Sequence, residues 1–523
     1  MEGMPEKTNS AFKSTCKILF REEIGDLAEF EPYLKEAMLP NTTANCSVSG
    51  KQIILSGSHY PKAARFVSQD QVEKLKKPQL SINSIKDIDS LFEAAAEQAT
   101  FCGNKIFGKN IEVCMADNCV DCSNIFYSHD IFQSKNAAFC SVGRYSESIF
   151  GVTFFRGISH CIRCIRCASV STFGAARCFE TYLSDNVSDC YYAINCSGSS
   201  DCMFCFNLRN SRNCIGNLEL PREKYLALKK KLVSEMAQTL CSRKRIFSLG
   251  KIMACKDQGE QAIPFSPPPA SIDRAFSSAT KIVLGKEQAS AAKFGNWLSS
   301  RSLGVKKVKG KSEEPAYRAE IPMVGNSAKG NLASFKRANE SKAKIKIGQA
   351  EDVSLSGIAS KAGKIAVLTH EFVEGRNNNA TETPSLADSS NVHRLWYGIA
   401  SSDSAFSSIV TESKYIFGGG ERILNCEFCI SCFNLTRCKN CFETDSSYLC
   451  SSCFFCHNCE NVEEGIFCFN AKGLRYAVFN QQLPKEEYFR IKKILLDYIN
   501  NELEKKGGLD ISIFSLGTRK NSK

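Results

Sequence analysis

Residues 426–468 read CEFCISCFNLTRCKNCFETDSSYLCSSCFFCHNCENVEEGIFC, and all ten cysteines of the stretch fall in one reading frame of three. Chance would place them so roughly once in twenty thousand trials, so the spacing is a fixed period. The frame is filled between the cysteines too. From Phe417 to Ala471 every third residue is Phe, Gly, Ile, Leu, Val, Ala, Ser, Thr or Cys, and none is charged. A period of three fits neither a helix at 3.6 residues per turn nor a flat strand at 2. A 3₁₀ helix of such length is unstable, and packed polyproline helices need dense Gly or Pro that this stretch lacks. What remains is a β-solenoid: very short strands separated by corners, with one small side chain per arm turned inward.

The stretch has a second copy upstream. At an offset of 263, Cys205/Cys468, Phe206/Phe469, Asn207/Asn470, Arg212/Arg475, Asn217/Asn480, Pro221/Pro484, Glu223/Glu486 and Tyr225/Tyr488 match, as does Cys-Phe-Glu-Thr at 178–181 and 441–444. At an offset of 265, Cys161, Cys164 and Cys167 match Cys426, Cys429 and Cys432, so the first copy holds two extra residues before Cys178. Each copy runs into an amphipathic stretch that opens with proline, where the missing N–H does least harm. Tyr225, Leu228, Leu232, Met236 and Leu240 oppose Lys229–Lys231; Tyr488, Ile491, Leu495 and Ile499 oppose Lys492 and Lys493. Such a helix would cover the open edge of the last coil. The expected fold is therefore mainly β: two short-strand β-solenoid modules, each capped by an amphipathic helix, with a largely disordered insert.

The expected segments are 1–100, of unclear fold with a helix near Asp87–Gln98; 101–240, the first module; 241–395, a basic Ser/Ala/Lys-rich insert; 396–510, the second module; and 511–523, a tail. Residues 241–395 hold 25 Lys+Arg against 14 Asp+Glu, so 11 of the net +12 charges lie there. The chain has 28 cysteines, no apolar leader at Met1–Leu19 and no long apolar run. Cytoplasmic thiols are expected in place of structural disulfides, and no membrane association.

Chemistry centres on the cysteines. Cys450 aligns with Val187, Cys456 with Ala193, Cys214 with Ala477 and Cys202 with Gly465. Packing positions tolerate such exchanges and metal ligands do not. The retained triplets Cys161, Cys164, Cys167 and Cys426, Cys429, Cys432 have C-x₂-C spacing that suits zinc or an iron–sulfur cluster, with Cys178 and Cys441 as fourth ligands. The lattice produces the same spacing through packing alone. His160 and His457 read as outward lattice residues. Lys306, Lys307, Lys309 and Lys311 form a run that suits phosphates and equally suits a solvated linker.

The string Cys202-x-x-Cys205-Phe-Asn-Leu-Arg, Cys214-Ile-x-Asn217, Pro221-x-Glu223-x-Tyr225 resembles a cysteine-rich repeat family of ultra-small candidate-phylum bacteria and archaea. That family carries zinc-ribbon cysteine pairs before its repeats, and Cys46-Ser-Val-Ser-Gly-Lys-Gln-Ile-Ile is similar to half of such a ribbon; only Cys16 precedes it. Asn118-Cys-Val-Asp-Cys-Ser-Asn-Ile-Phe-Tyr-Ser128 also resembles coils of the β-helical domain of tubulin-cofactor-C-like proteins, which implies a solenoid and no particular activity. The sequence expectation is a non-enzymatic scaffold or binding module with protein partners. The alternatives are a zinc-dependent nucleic-acid-binding protein working through the basic insert, and an iron–sulfur or redox protein.

Overall fold

In the computed structural model the chain is mainly β, with many sheets. The structure describes residues 3–61, 64–75, 82–167, 174–253, 261–300, 302–310, 314–321, 332–341, 343–348, 353–411, 413, 417–419, 426–428, 430, 439–445 and 452–516. It divides into two compact units. One comprises Met1–Pro40, Ile106–Pro264 and Val305–Phe372; the other comprises Asn41–Lys105, Phe265–Gly304 and Val373–Lys523.

The first unit is organised by a fifteen-stranded sheet whose short strands pair mostly in parallel and, over most of their length, at a step of twelve residues. Ser123 lies opposite Lys135, Lys135 opposite Glu147, and Glu147 opposite Ser159. After the five-residue lengthening at 162–179 the step returns to twelve, with Ser188 opposite Ser200 and Ser200 opposite Arg212. The backbone explains the period of three. Asn118, Asp121, Asn124, Tyr127, Asp130, Gln133 and Asn136 all have positive φ, one in every three residues. Each is followed by a buried inward residue: Cys119, Cys122, Ile125, Ser128, Ile131, Ser134 and Ala137. A left-handed corner costs a residue with a Cβ roughly 1–2 kcal/mol, least for Asn and Asp, whose side chains bond locally. Here those side chains also bond one step along the sheet. Asn124 Nδ2 donates to Asn136 Oδ1 at 2.8 Å, and Asn195 Nδ2 to Asn207 Oδ1 at 2.8 Å.

Two helices close this unit. Glu6–Phe20 lies across the sheet, seating Phe12 against Phe150 and Phe20 against Phe179. Arg222–Arg243 buries Tyr225, Leu228, Leu232, Met236 and Leu240 beside the last strand of the parallel run. The edge of that run is also stopped by a side chain. Asn217, itself at positive φ, accepts from Phe206 N at 2.8 Å and donates to Phe206 O at 3.0 Å. Its amide thus takes the place that a further strand's peptide group would fill.

The second unit repeats these devices. Asn378, Ser390 and Ser402 step by twelve, as do Glu463 and Arg475. Positive φ recurs at Asp388, Asn391, Arg394, Tyr397, Ala400, Asp403 and Phe406. Asn480 accepts from Phe469 N at 2.9 Å and donates back to Phe469 O at 2.7 Å. The helix Lys485–Lys506 buries Tyr488, Ile491, Leu495 and Ile499. Phe455, Phe467 and Phe479 stack at twelve-residue steps, with centroids 5.2 and 5.9 Å apart.

The segment 241–395 departs from the expected disorder. Among its described residues are the helices Ala270–Leu284, Ala291–Ser299 and Leu355–Ile365 and the hairpin Val305–Lys309 with Pro315–Ala319. Ile272, Phe276, Val283, Phe294 and Leu298 are buried in the second unit, and Ile358 and Ala362 in the first. The twelve-residue step also begins before residue 396, with Ala380 opposite Val392. Ser, Ala, Val and Leu fill the inward positions there, so no cysteine marks the frame.

In the residues before 100, Asp87 accepts from Ser90 N at 2.9 Å and starts the helix Ile88–Gln98. Cys46 is buried at a tight turn where Gly50 N donates to Cys46 O, and its sulfur accepts from Ser68 N. Cys16 lies in a helix of the other unit.

Candidate functional site

The inward cysteines of the first module form columns. Cys178, Cys190, Cys202 and Cys214 follow one another at steps of twelve, with Cys190 opposite Cys202 and Cys202 opposite Cys214. Neighbouring strands are about 4.8 Å apart and their Cβ atoms point the same way. That exceeds the ~3.8 Å Cβ separation of an ordinary disulfide, so register pairing keeps stacked cysteines as thiols. All 23 cysteines among the described residues are free.

The triplet Cys161, Cys164, Cys167 and its partner Cys178 are fully buried in this core. Each thiol donates to a backbone carbonyl: Cys161 to Ser159 O at 3.3 Å, Cys164 to Ile162 O at 3.6 Å and Cys178 to Ala176 O at 3.3 Å, each two residues back, and Cys167 to Thr181 O at 3.1 Å on the neighbouring strand. Burial pushes the thiols of Cys161, Cys164 and Cys167 up, and those of Cys140 and Cys196 up to about 12. Those five are held as neutral packing groups, not as the thiolates a metal binds. The thiol of Cys178 goes the other way, lowered against its burial by hydrogen bonds from Cys161 and Cys190. Of the second set, Cys426 and Cys441 are buried, while Cys429 and Cys432 lie outside the described residues. Among the described residues no group of three or more His, Cys, Asp or Glu is placed to hold a metal ion.

The basic run divides as well. Lys306, Lys307 and Lys309 lie on the strand Val305–Lys309, where Lys306 Nζ sits 2.7 Å from Glu320 Oε1; Lys311 lies outside the described residues. His160 is a half-buried corner residue at positive φ. His457, expected to face outward, is fully buried because the strand Thr100–Gly103 covers it, and its Nε2 accepts from Cys102 N at 2.6 Å.

Three constellations carried no strong signal in the sequence. In the first unit Glu180, fully buried, accepts from Arg163 Nε at 2.5 Å, from Tyr182 Oη at 2.5 Å and from Leu249 N at 2.8 Å. The Arg163 guanidinium also lies 3.8 Å over the Tyr33 ring. In the second unit the corresponding Glu443 accepts from Ile513 N at 2.8 Å. In both units, then, the Glu of Cys-Phe-Glu-Thr fastens the chain that follows the terminal helix. The third is a repeated ion pair beneath that helix: Lys229 Nζ–Asp201 Oδ1 at 2.8 Å and Lys492 Nζ–Glu464 Oε2 at 2.6 Å. The matching Cys-Phe-Glu-Thr strings and lysines were the readable signal.

The chain matches no family model, no curated protein and no solved structure. Among the described residues no helix is long and apolar enough to cross a membrane.

Proposed function

We propose that this chain is a non-enzymatic scaffold or binding protein of a reducing, cytoplasmic setting, built on two β-solenoid modules of twelve-residue coils. The observation that carries the reading is the use made of the lattice's two faces. Inward positions are spent on packing, since each candidate ligand thiol of the first triplet is buried and donates to a backbone carbonyl. Outward positions form regular columns of charge one coil apart: Lys135 with Glu147, Arg177 with Asp189, Arg475 with Glu463. A rigid surface ruled at about 4.8 Å suits recognition, as in other stacked repeats. The resemblance to the cysteine-rich repeat family and to tubulin-cofactor-C-like β-helices supports the same solenoid reading.

The test is a turnover screen of the full chain with ester, phosphomonoester and disulfide substrates, beside Cys164→Ser and Cys178→Ala variants shown to be folded. No turnover dependent on these residues is expected. Activity abolished by either substitution with the fold intact would overturn the proposal.

A further inference from the structure

The two modules open with the same turn but present different surfaces beyond it. In the first, Lys109 N donates to Asp121 Oδ1 at 2.8 Å, Cys122 N to Asn110 Oδ1 at 2.9 Å and Asn110 Nδ2 to Phe107 O at 2.8 Å. In the second, Arg376 N donates to Asp388 Oδ1 at 2.9 Å, Ser389 N to Asn377 Oδ1 at 2.9 Å and Asn377 Nδ2 to Glu374 O at 2.7 Å. Among the described residues, the strand after each turn pairs on one side only, Ile111–Asp117 with Ser123–Phe132 and Asn378–Thr381 with Ser390–His393.

The ladder shows which groups the first of these edges leaves over. A corner residue sends its N–H to the coil before it: Gln133 to Val120 O at 2.9 Å, Phe139 to Phe126 O at 3.2 Å. An inward residue's carbonyl accepts from the coil before it: Ser134 O from Ser123 N at 3.1 Å, Cys140 O from His129 N at 3.1 Å. Glu112 and Met115 are corners at positive φ, and Val113 and Ala116 are the inward residues after them. No coil of their unit precedes them among the described residues. The N–H groups of Glu112 and Met115 and the carbonyls of Val113 and Ala116 therefore point out of the end of the stack, a row open to another strand. The side chains leave it open. Ile111 is 63% exposed, Val113, Cys114 and Met115 are half-buried, and the strand holds no Lys or Pro. The other ends are blunted: Asn378 and Asn379 are exposed and polar, Asn379 Nδ2 donates to Ser271 Oγ at 3.1 Å, and Asn217 and Asn480 close the far ends.

We propose that the first coil of the first module is a self-association surface, on which two copies of the chain stack head to head with their Ile111–Asp117 strands antiparallel across a two-fold axis. The shape of the row selects the occupant. Its hydrogen-bonding groups turn a corner every three residues, so a straight strand can follow them along one arm only. The end of a second solenoid of the same outline meets them along several arms, with N–H and C=O exchanged as in any antiparallel ladder. The charges are self-complementary. Those exposed at this end are Lys109 and Glu112, with Asp121 bonded to Lys109 N one coil in. A two-fold axis between residues 109 and 112 sets Lys109 and Glu112 each against its opposite in the second copy. The stack cannot grow further, because Asn217 and the helix Arg222–Arg243 close the far end of the module. The product is a closed dimer and not a fibre.

The test combines sedimentation velocity of the full chain, over about 1–100 µM so as to span micromolar dissociation constants, with amide hydrogen exchange at both extremes. The expected result is a monomer that becomes a dimer with concentration, the Glu112 and Met115 amides slowing at least tenfold as it forms while the Asn379 amide does not change. Lys side chains blunt a strand edge, so Ile111→Lys/Met115→Lys should stay monomeric with those amides fast, whereas Asn378→Lys on the second module's end should dimerise as the parent does. The concentration dependence of exchange in the unaltered chain decides the matter even if the double variant fails to fold. A monomer throughout, a dimer in which Glu112 and Met115 exchange as fast as in the monomer, a dimer retained by the folded double variant, or assemblies that keep growing past two copies would each overturn the proposal.

Discussion

Replacing Asn217 with alanine tests how the first module ends its parallel run. The carboxamide makes two bonds to one residue, accepting from Phe206 N at 2.8 Å and donating to Phe206 O at 3.0 Å, and Phe206 is buried. A third bond runs from Asn217 Nδ2 to Ala343 O at 3.1 Å. Truncation leaves a buried N–H and a buried C=O of Phe206 without partners, at about 1–3 kcal/mol each. Alanine also tolerates the φ of 61° less well than asparagine, adding about 1 kcal/mol. The expected loss is therefore about 3–7 kcal/mol, read from the urea unfolding of this unit. Asn217→Gly keeps the backbone freedom and loses only the side chain, so it should recover about the 1 kcal/mol of strain and no more. Amide hydrogen exchange at Phe206 should accelerate in both variants. A loss below ~1 kcal/mol with Phe206 still protected would refute the view that this side chain stands in for a further strand.

The other predictions concern the copies and the thiols. Tyr488 Oη donates to Glu464 at 2.9 Å, whereas the buried Tyr225 Oη meets the shorter Asp201 and makes no hydrogen bond. Asp201→Glu should accordingly raise the urea midpoint of its unit, by about 0.5–1.5 kcal/mol. Arg163→Met should cost about 3–5 kcal/mol in the same assay, because the buried Glu180 carboxylate loses its cation; adding Glu180→Gln should recover part of that loss. The pH dependence follows from Cys140 and Cys196, raised to about 12 against roughly 8.5 in an unfolded chain. Their contribution is complete below about pH 8.5 and is lost as pH rises toward 12, so each should remove about 2 kcal/mol by pH 10. Cys140→Ala/Cys196→Ala should flatten that alkaline decline.

The period of three was legible because it is written twice in each arm. A left-handed corner favours Asn, Asp or Gly, and the next residue must be small and apolar. The coil length of twelve was harder to read, since any multiple of three satisfies the frame. It does show in the columns Cys178, Cys190, Cys202, Cys214 and in the pairs Asn124/Asn136 and Asn195/Asn207. The earliest coils of the second module were missed because Val392, Leu395, Gly398, Ser401 and Ser404 fill the frame without cysteine. The helix Ala270–Leu284 was missed for a different reason. Its Ser, Ala and Lys composition matches that of linkers, although Ile272, Phe276, Ala279 and Val283 already marked one buried face. The exchanges of cysteine for Val, Ala and Gly between copies pointed to packing, and Val187, Ala193 and Cys202 are indeed buried. What no pattern could supply was the Arg163–Glu180 pair. Its residues occupy outward positions, and the overlying Tyr33 and Leu249 segments make them interior.

The most direct test of the account removes one coil. Residues 123–134 span one twelve-residue step, and their loss brings Lys135 opposite Ile111 with every later column unbroken. The contacts Phe12–Phe150 and Phe20–Phe179 lie beyond the cut and are retained. The variant lacking these twelve residues should fold, with a cooperative transition and a parallel-β circular dichroism spectrum. Deleting eleven residues throws each inward side chain outward, and deleting nine keeps the frame but rotates every later column by one arm, so both should fail to fold. Equal tolerance of the nine-, eleven- and twelve-residue deletions, or selective failure of the twelve, would contradict the twelve-residue coil.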